Sequence, residues 1–242
     1  KKSRRLLYAR IAKTLEEKFA ERVQLEPELL AYHCEQAGLT GPAITYWHLA
    51  ARRDADRSAN VEALNHFNRA LAMVKDLPEG PERDASELEI LIARGAPMVT
   101  VKGYASQEIE RNYLRAKELS QVNSDSGHHF LAVWGLWVFH LVRGPLATAC
   151  DLAEHLLSLA QREHNPDMLI RAHESVGSTY SFLGRFNEAK AHLLAAKSLY
   201  DPARHRSQAL PYTQDPGITA RIMLARALWI LGEVDQVEAL SR

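Results

Sequence analysis

Apolar and small residues recur along this chain every three to four positions, in blocks of helical length separated by Gly, Pro, Asp-Pro and Asn-Pro signals. Asp215-Pro216, Asn165-Pro166 and Gly41-Pro42 each read as an N-cap followed by proline in the first turn, where its missing N–H is no loss. Pro27, Pro81 and Pro145 stand at further helix starts, and Pro78 and Pro202 just beyond helix ends. The pattern predicts helices over 5–20, 27–37, 42–56, 60–76, 81–101, 105–122, 128–142, 146–163, 167–183, 187–200, 216–231 and 234–241. A loop is expected over 204–215, and no segment reads as a strand. Pro97 lies inside the span 81–101. It removes a backbone bond and crowds the carbonyl of Ala93, so a kink or break is predicted between Ala93 and Pro97. The longest apolar run, Phe130 to Phe139, is ten residues. A bilayer needs about 20, so this run predicts a buried core helix.

The span Arg171 to Pro202 holds two such blocks joined at Gly184, whose permissive backbone suits a tight helix–helix turn. Gly177 permits close approach with Tyr180 beside it, and Ala189 and Ala196 are small where the second helix nests on the first. Glycine, aromatic, glycine, alanine, alanine, proline in this order is the tetratricopeptide (TPR) pattern. The spacing from Gly184 to Ala189 recurs from Gly144 to Ala149 and from Gly38 to Ala43, with looser copies at Ser58…Ala63 and Gly232…Val237. Gly144 to Gly184 is 40 residues and Gly184 to Gly232 is 48, against a usual TPR period of about 34. A period near 40 also suits HEAT repeats, but the Gly–Tyr–Gly–Glu–Ala order around Gly177 favours a TPR-like unit. The expected fold is all-α, a right-handed superhelical solenoid of TPR-like helix-turn-helix repeats of about 40 residues.

Several stretches carry a resemblance. They are Pro27 to Arg53, Ser58 to Leu71, the KGYAS stretch Lys102 to Ser106, Ala132 to Phe139, and QDPG at Gln214 to Gly217. Together they span most of the chain, and it resembles the TPR-like helical region of bacterial multidomain signalling ATPases. In that set a predicted AAA-type ATPase is joined to a class III adenylate/guanylate cyclase domain, and the repeats are related to those of the maltose-regulon activator type. These motifs are structural, so the resemblance implies architecture before biology. It implies that residues 1–25 form a junction helix closing an absent upstream ATPase module, and that residues 26–242 form the repeat domain.

Composition narrows the classes. Only 12 Gly, 10 Pro and 7% aromatic residues argue against a β-sandwich or barrel. Two cysteines exclude a disulfide scaffold, and 46% hydrophobic residues at zero net charge exclude disorder. Thirty basic against thirty acidic residues leave no surplus for phosphates, so nucleic acid is not the expected partner. Cys34 and Cys150 stand far apart and read as small core residues in a reducing, cytoplasmic setting. The start lacks both an initiator Met and a signal-peptide h-region, so the chain reads as a cut from a longer protein.

No Walker A, nucleophile elbow or dinucleotide fingerprint occurs, and no cofactor is expected. None of the eleven histidines forms a helical metal pair; they read as surface or capping residues, with His164, His192 and His205 solvated. Glu16-Glu17 and Glu108-x-Glu110 read as solvated faces. Lys1 to Arg5 reads as a solvated basic turn, and Arg204-His205-Arg206 as a loop cluster that could touch an anion.

With Gly177 as the eighth position of its repeat, the concave-face positions of that helix are Arg171, Glu174, Ser178, Ser181 and Phe182. One repeat earlier they are Leu131, Trp134, Val138, Leu141 and Val142. One later they are Thr219, Ile222, Arg226, Trp229 and Ile230. Tryptophan and arginine anchor interfaces well. The candidate groove for a protein, a peptide or a small effector is therefore Trp134, Val138, Arg171, Ser178, Phe182, Arg226 and Trp229, with ordinary core packing of both tryptophans as the competing reading. The function expected is a non-catalytic scaffold or sensor region of a bacterial signalling protein. The alternatives are the repeat region of a DNA-binding regulator, or a helical enzyme with a pocket in the concave face.

Overall fold

A computed structural model describes residues 2–205 and 214–241 of the chain. Among these residues every regular element is a helix. The helices are α1 (Lys2–Lys18), α2 (Ala20–Leu25), α3 (Pro27–Ala37), α4 (Thr40–Asp56), α5 (Asn60–Val74), α6 (Pro81–Ala93), α7 (Gly95–Lys102), α8 (Gln107–Val122), α9 (Ser126–Arg143), α10 (Leu146–Arg162), α11 (Pro166–Phe182), α12 (Phe186–Leu199), α13 (Pro202–His205), α14 (Pro216–Ile230) and α15 (Val234–Ser241). The chain divides into two compact units, Lys1–Val101 and Lys102–Arg242.

The first unit packs α1 on α3, α3 on α4 and α4 on α5. Alanine makes this possible: Ala31, Ala43, Ala50, Ala51, Ala63 and Ala70 are sealed between helices, so backbones close around Phe67, Leu30 and Trp47. Polar groups at the seam are paired. Asp54 is buried and meets both Arg53 at 3.0 Å and His66 Nδ1 at 2.9 Å, while Trp47 donates its indole N–H to Glu35 at 2.9 Å. The predicted helix 5–20 is divided at Phe19, where φ is −130°. The compact division falls at Val101/Lys102. Within the first unit α1 rests on α3, and Tyr46 of α4 donates to Glu16 at 2.8 Å.

Pro97 breaks its helix as predicted. α6 ends at Ala93, the carbonyl that Pro97 cannot satisfy, and α7 restarts at Gly95. The Gly41-Pro42 reading holds for the proline, which lies in the first turn of α4, but not for the cap: the helix starts at Thr40, two residues ahead of Pro42, and Leu39 at its N-cap supplies no side-chain bond.

In the second unit, α8 to α12 pack each on the next, and α14 packs on both α12 and α11. The forward helices are capped by side chains chosen in the sequence. Asn165 accepts from the N–H groups of Asp167 and Met168 at 3.0 and 3.3 Å, and Asp215 from those of Gly217 and Ile218 at 2.8 and 3.2 Å. Gly184 sits at φ 76°, and the following Arg185 N–H returns to Tyr180 O at 2.9 Å, closing α11 in a left-handed cap. Gly177 lets α12 approach: a Cβ there would lie 2.6 Å from Leu193 Cγ and 3.2 Å from Ala189 O. Each unit is thus a stack of short-linked helix hairpins, a TPR-like helical-repeat fold.

Candidate functional site

The forward helices of the second unit are α9, α11 and α14, and their concave-frame positions differ sharply in exposure. On α9, Trp134 is 3% exposed and Val138 is buried with it. On α11, Arg171, Glu174, Ser178 and Ser181 are all buried, and only Phe182 at the helix end opens, at 46%. On α14, Ile222 and Trp229 stand 63% and 65% exposed, and Ile218 and Ile230 flank them in the open. Of the seven residues picked from sequence, Phe182, Arg226 and Trp229 therefore lie at the surface, whereas Trp134, Val138, Arg171 and Ser178 are enclosed. The periodicity assigned them one face. It carried no information about what else of the chain lies on that face.

At the open end, the Arg226 guanidinium lies 5.1 Å from the centre of the Phe182 ring. Arg221 turns away to the carbonyl of Leu240. The result is an apolar stripe along α14 with one cation at its border with α11.

The enclosed half is polar. Ser178 Oγ donates to Glu174 Oε1 at 3.0 Å. Burial pushes the Glu174 carboxyl up to about 7, against the opposing pull of Arg171 and the Ser178 hydroxyl. Arg171 donates to the backbone carbonyl of Gln214, and its guanidinium lies 6.0 Å from the Trp134 ring centre. Trp137 donates to Thr179 Oγ1 at 2.8 Å. Gln214 in turn accepts from Thr219 Oγ1 at 3.3 Å and donates through Nε2 to Tyr104 OH at 2.9 Å. Tyr104 is half-buried on the core cluster that contains Trp134, Trp137 and Val138, and Arg143 at the end of α9 donates to Ala105 O at 3.2 Å. Tyr104 and Gln214 belong to two of the motifs noted above, KGYAS and QDPG. Nothing in the sequence signalled that they would meet.

A cleft of about 280 Å³ opens at the N-terminal ends of α9 and α11, lined by Asp125, His128, Asn165, Asp167, Arg171 and His205. Its charges are paired internally. Asp125 accepts from the His128 N–H at 3.0 Å and faces its Nδ1 at 2.6 Å, and Asp167 meets His205 Nε2 at 3.0 Å and Arg204 at 3.2 Å. The expectation of a loop cluster at Arg204-His205-Arg206 is corrected for the first two residues, which end α13 and contact an anion of the chain itself, Asp167. Residues 206–213, including Arg206, lie outside the described residues.

The histidines also differ from a solvated set. His205 is buried, and His192 Nδ1 lies 3.0 Å from His173 Nδ1 across α11 and α12. Burial holds both of that pair below the ordinary imidazole range. Cys34 is buried in the first unit, its thiol pushed up to about 11 by desolvation, and Cys150 is partly buried beside Glu154. Among the described residues no group of three or more His, Cys, Asp or Glu is placed to hold a metal ion, and no helix is long and apolar enough to cross a membrane.

No protein-family profile matches the chain. It is 25% identical over 246 residues to the uncharacterized protein R02095 of Rhizobium meliloti (strain 1021), a match that takes in all of this chain and 24% of that protein. The chain thus spans about a quarter of its relative's length. Its fold is similar to that of NprR, in the crystal structure of NprR in complex with its cognate peptide NprX. The TM-score is 0.64 at 12% identity, over 97% of this chain and 64% of that one. That likeness establishes the TPR-like helical-repeat fold.

Proposed function

We propose that the second unit is a non-catalytic binding module that takes a segment of another protein along the open stripe of α14, with Phe182 and Arg226 at its edge. The observation that carries this is the exposure of Ile222, whose frame partners Trp134 and Glu174 are buried, and of Trp229, whose partner Ser181 is buried and Leu141 half-buried. An apolar stripe bordered by one arginine fits an extended or helical peptide that offers apolar side chains at helical or alternating spacing and one carboxylate. The NprR structure, with NprX bound, supports a peptide as the class of occupant on such a fold. The buried Trp134, Val138, Arg171 and Ser178 belong to the same proposed groove as its closed continuation.

The wider setting we propose is that of a signalling protein in which such repeats follow ATPase and nucleotide-cyclase domains, with residues 1–25 as the junction. The stretches resembling that class support this, as does a relative about four times as long. The proposed compartment is the cytoplasm, and neither DNA nor a membrane is the proposed partner.

The test is a peptide array of acidic, aliphatic-rich fifteen-residue probes, followed by calorimetric titration of the best binder. Trp229→Ala is expected to weaken it by about 2 kcal/mol or more, and Arg226→Ala to weaken only probes that carry the carboxylate. Far-UV circular dichroism should be unchanged in both. Equal affinity for the parent and Trp229→Ala would dismiss the reading.

A further inference from the structure

The enclosed half of the concave face poses a physical question. A helix that buries an arginine, a glutamate, three serines and a threonine within about three turns is poorly explained by core packing, since apolar residues of like volume would cost less. Arg171, Glu174, Ser175, Ser178 and Ser181 are all nearly inaccessible, and the Ser175 hydroxyl has no hydrogen-bond partner. What meets this polar surface is the chain itself. A backbone carbonyl, that of Gln214, accepts from Arg171, and an aromatic side chain, that of Tyr104, packs on the core cluster to which Trp134 belongs. The two are joined by one hydrogen bond spanning 110 residues of sequence. Tyr104 comes from the turn between α7 and α8, which has no regular structure of its own and is tied to α9 through Arg143 and Ala105.

We propose that Tyr104 and Gln214 form an internal strap that occupies the inner half of the groove as a stand-in for a peptide. An incoming peptide would displace it, its own carbonyl replacing that of Gln214 on Arg171 and an aromatic side chain replacing Tyr104. The proposal rests on the peptide-binding reading for its ligand, but the strap itself is testable without any ligand. It makes the module a two-part site. The α14 stripe is always open, and the Arg171–Glu174–Ser178 surface is exposed only when the strap lifts. A peptide long enough to reach both halves would release the Tyr104–Gln214 bond, and that release is the regulatory event.

The experiment reads access to position 178 by the rate of alkylation with iodoacetamide. The full chain carries Ser178→Cys in a Cys150→Ala background, and Ala196→Cys in the same background is the control, since Ala196 is sealed elsewhere in the same unit. With the strap intact, alkylation at position 178 is slow. Tyr104→Ala is expected to raise that rate about tenfold, and Tyr104→Phe, which keeps the ring and removes the hydroxyl to which Gln214 donates, by about threefold, because both shift a local opening equilibrium. The rate at position 196 stays unchanged in both. An unchanged rate at position 178 in Tyr104→Phe and Tyr104→Ala overturns the strap, and so does a rise matched at position 196, which would mean general loosening. If Tyr104→Ala loses its helical signal, Tyr104→Phe alone decides by the same two criteria. Loss of peptide binding in Trp229→Ala speaks to the open stripe and leaves these rates unaffected, so the two ideas fail separately.

Discussion

Glu174 is the side chain whose surroundings matter most to the stability of the second unit. Its carboxyl is pushed up to about 7 by burial, well above the 4.5 of an unperturbed glutamate. The native state therefore holds a proton more tightly than the unfolded chain, and stability is lost as pH rises from about 4.5 to 7. The depressed histidines His129, His155, His173 and His192 act oppositely. Their contribution is present above about 6.5 and fades as pH falls. Glu174→Gln isolates the first effect, because the histidines cancel in the difference. The variant should gain on the parent by up to about 3 kcal/mol between pH 4.5 and 7, read from urea unfolding at three pH values. A pH-independent difference would contradict the assignment. Gly177 offers a second test at this scale. Gly177→Ala sets a methyl against Leu193 and Ala189 O, and overpacking of this kind costs about 1–3 kcal/mol, visible as a lower urea midpoint.

The turns between helices show which local signals the chain uses. Gly38, Gly184 and Gly232 close their helices in left-handed conformation, and these glycines were legible as repeat markers. Ser58, Ser124 and His164 adopt the same conformation at φ 61°, 52° and 49° without being glycine. Each is followed by an amide that reaches back to the preceding helix, such as Asn165 N–H to Ala160 O at 3.3 Å. A non-glycine residue in that region costs about 1 kcal/mol. His164→Gly should therefore raise the stability of the protein by a few tenths to about 1 kcal/mol, and Gly184→Ala should lower it by about 1 kcal/mol, both measured by chemical unfolding. Ser58 was marked as a looser copy of the glycine position, but the turns at Ser124 and His164 escaped the sequence reading because Ser and His in a left-handed cap look like any polar loop residue. Only the returning hydrogen bond identifies them. The caps at Asn165 and Asp215 were readable because a short acceptor side chain before Pro is a local signal with a local cause.

At the scale of the molecule, each unit has its own core. Phe67 is fully enclosed in the first, and Phe67→Ala should cost about 3–5 kcal/mol through the cavity it leaves. Amide exchange in α4 and α5 should rise accordingly; unchanged protection there would show that the site collapses around the loss. The helical character, most helix limits, the break near Pro97 and the repeat frame were determined by sequence alone, since each depends on propensity, periodicity or a cap within a few residues. The grouping of Trp134, Val138, Arg171, Ser178, Phe182, Arg226 and Trp229 was drawn from that frame alone. Which of them meets solvent was decided by contacts between residues far apart in the chain. Tyr104 reaches Gln214, and His205 turns in to Asp167. α14 presents Ile222 and Trp229 to solvent, although the matching Trp134, Glu174 and Ser181 are buried and Leu141 is half-buried. A helical period says where a side chain points along its own axis. Only the packed structure determines what stands opposite.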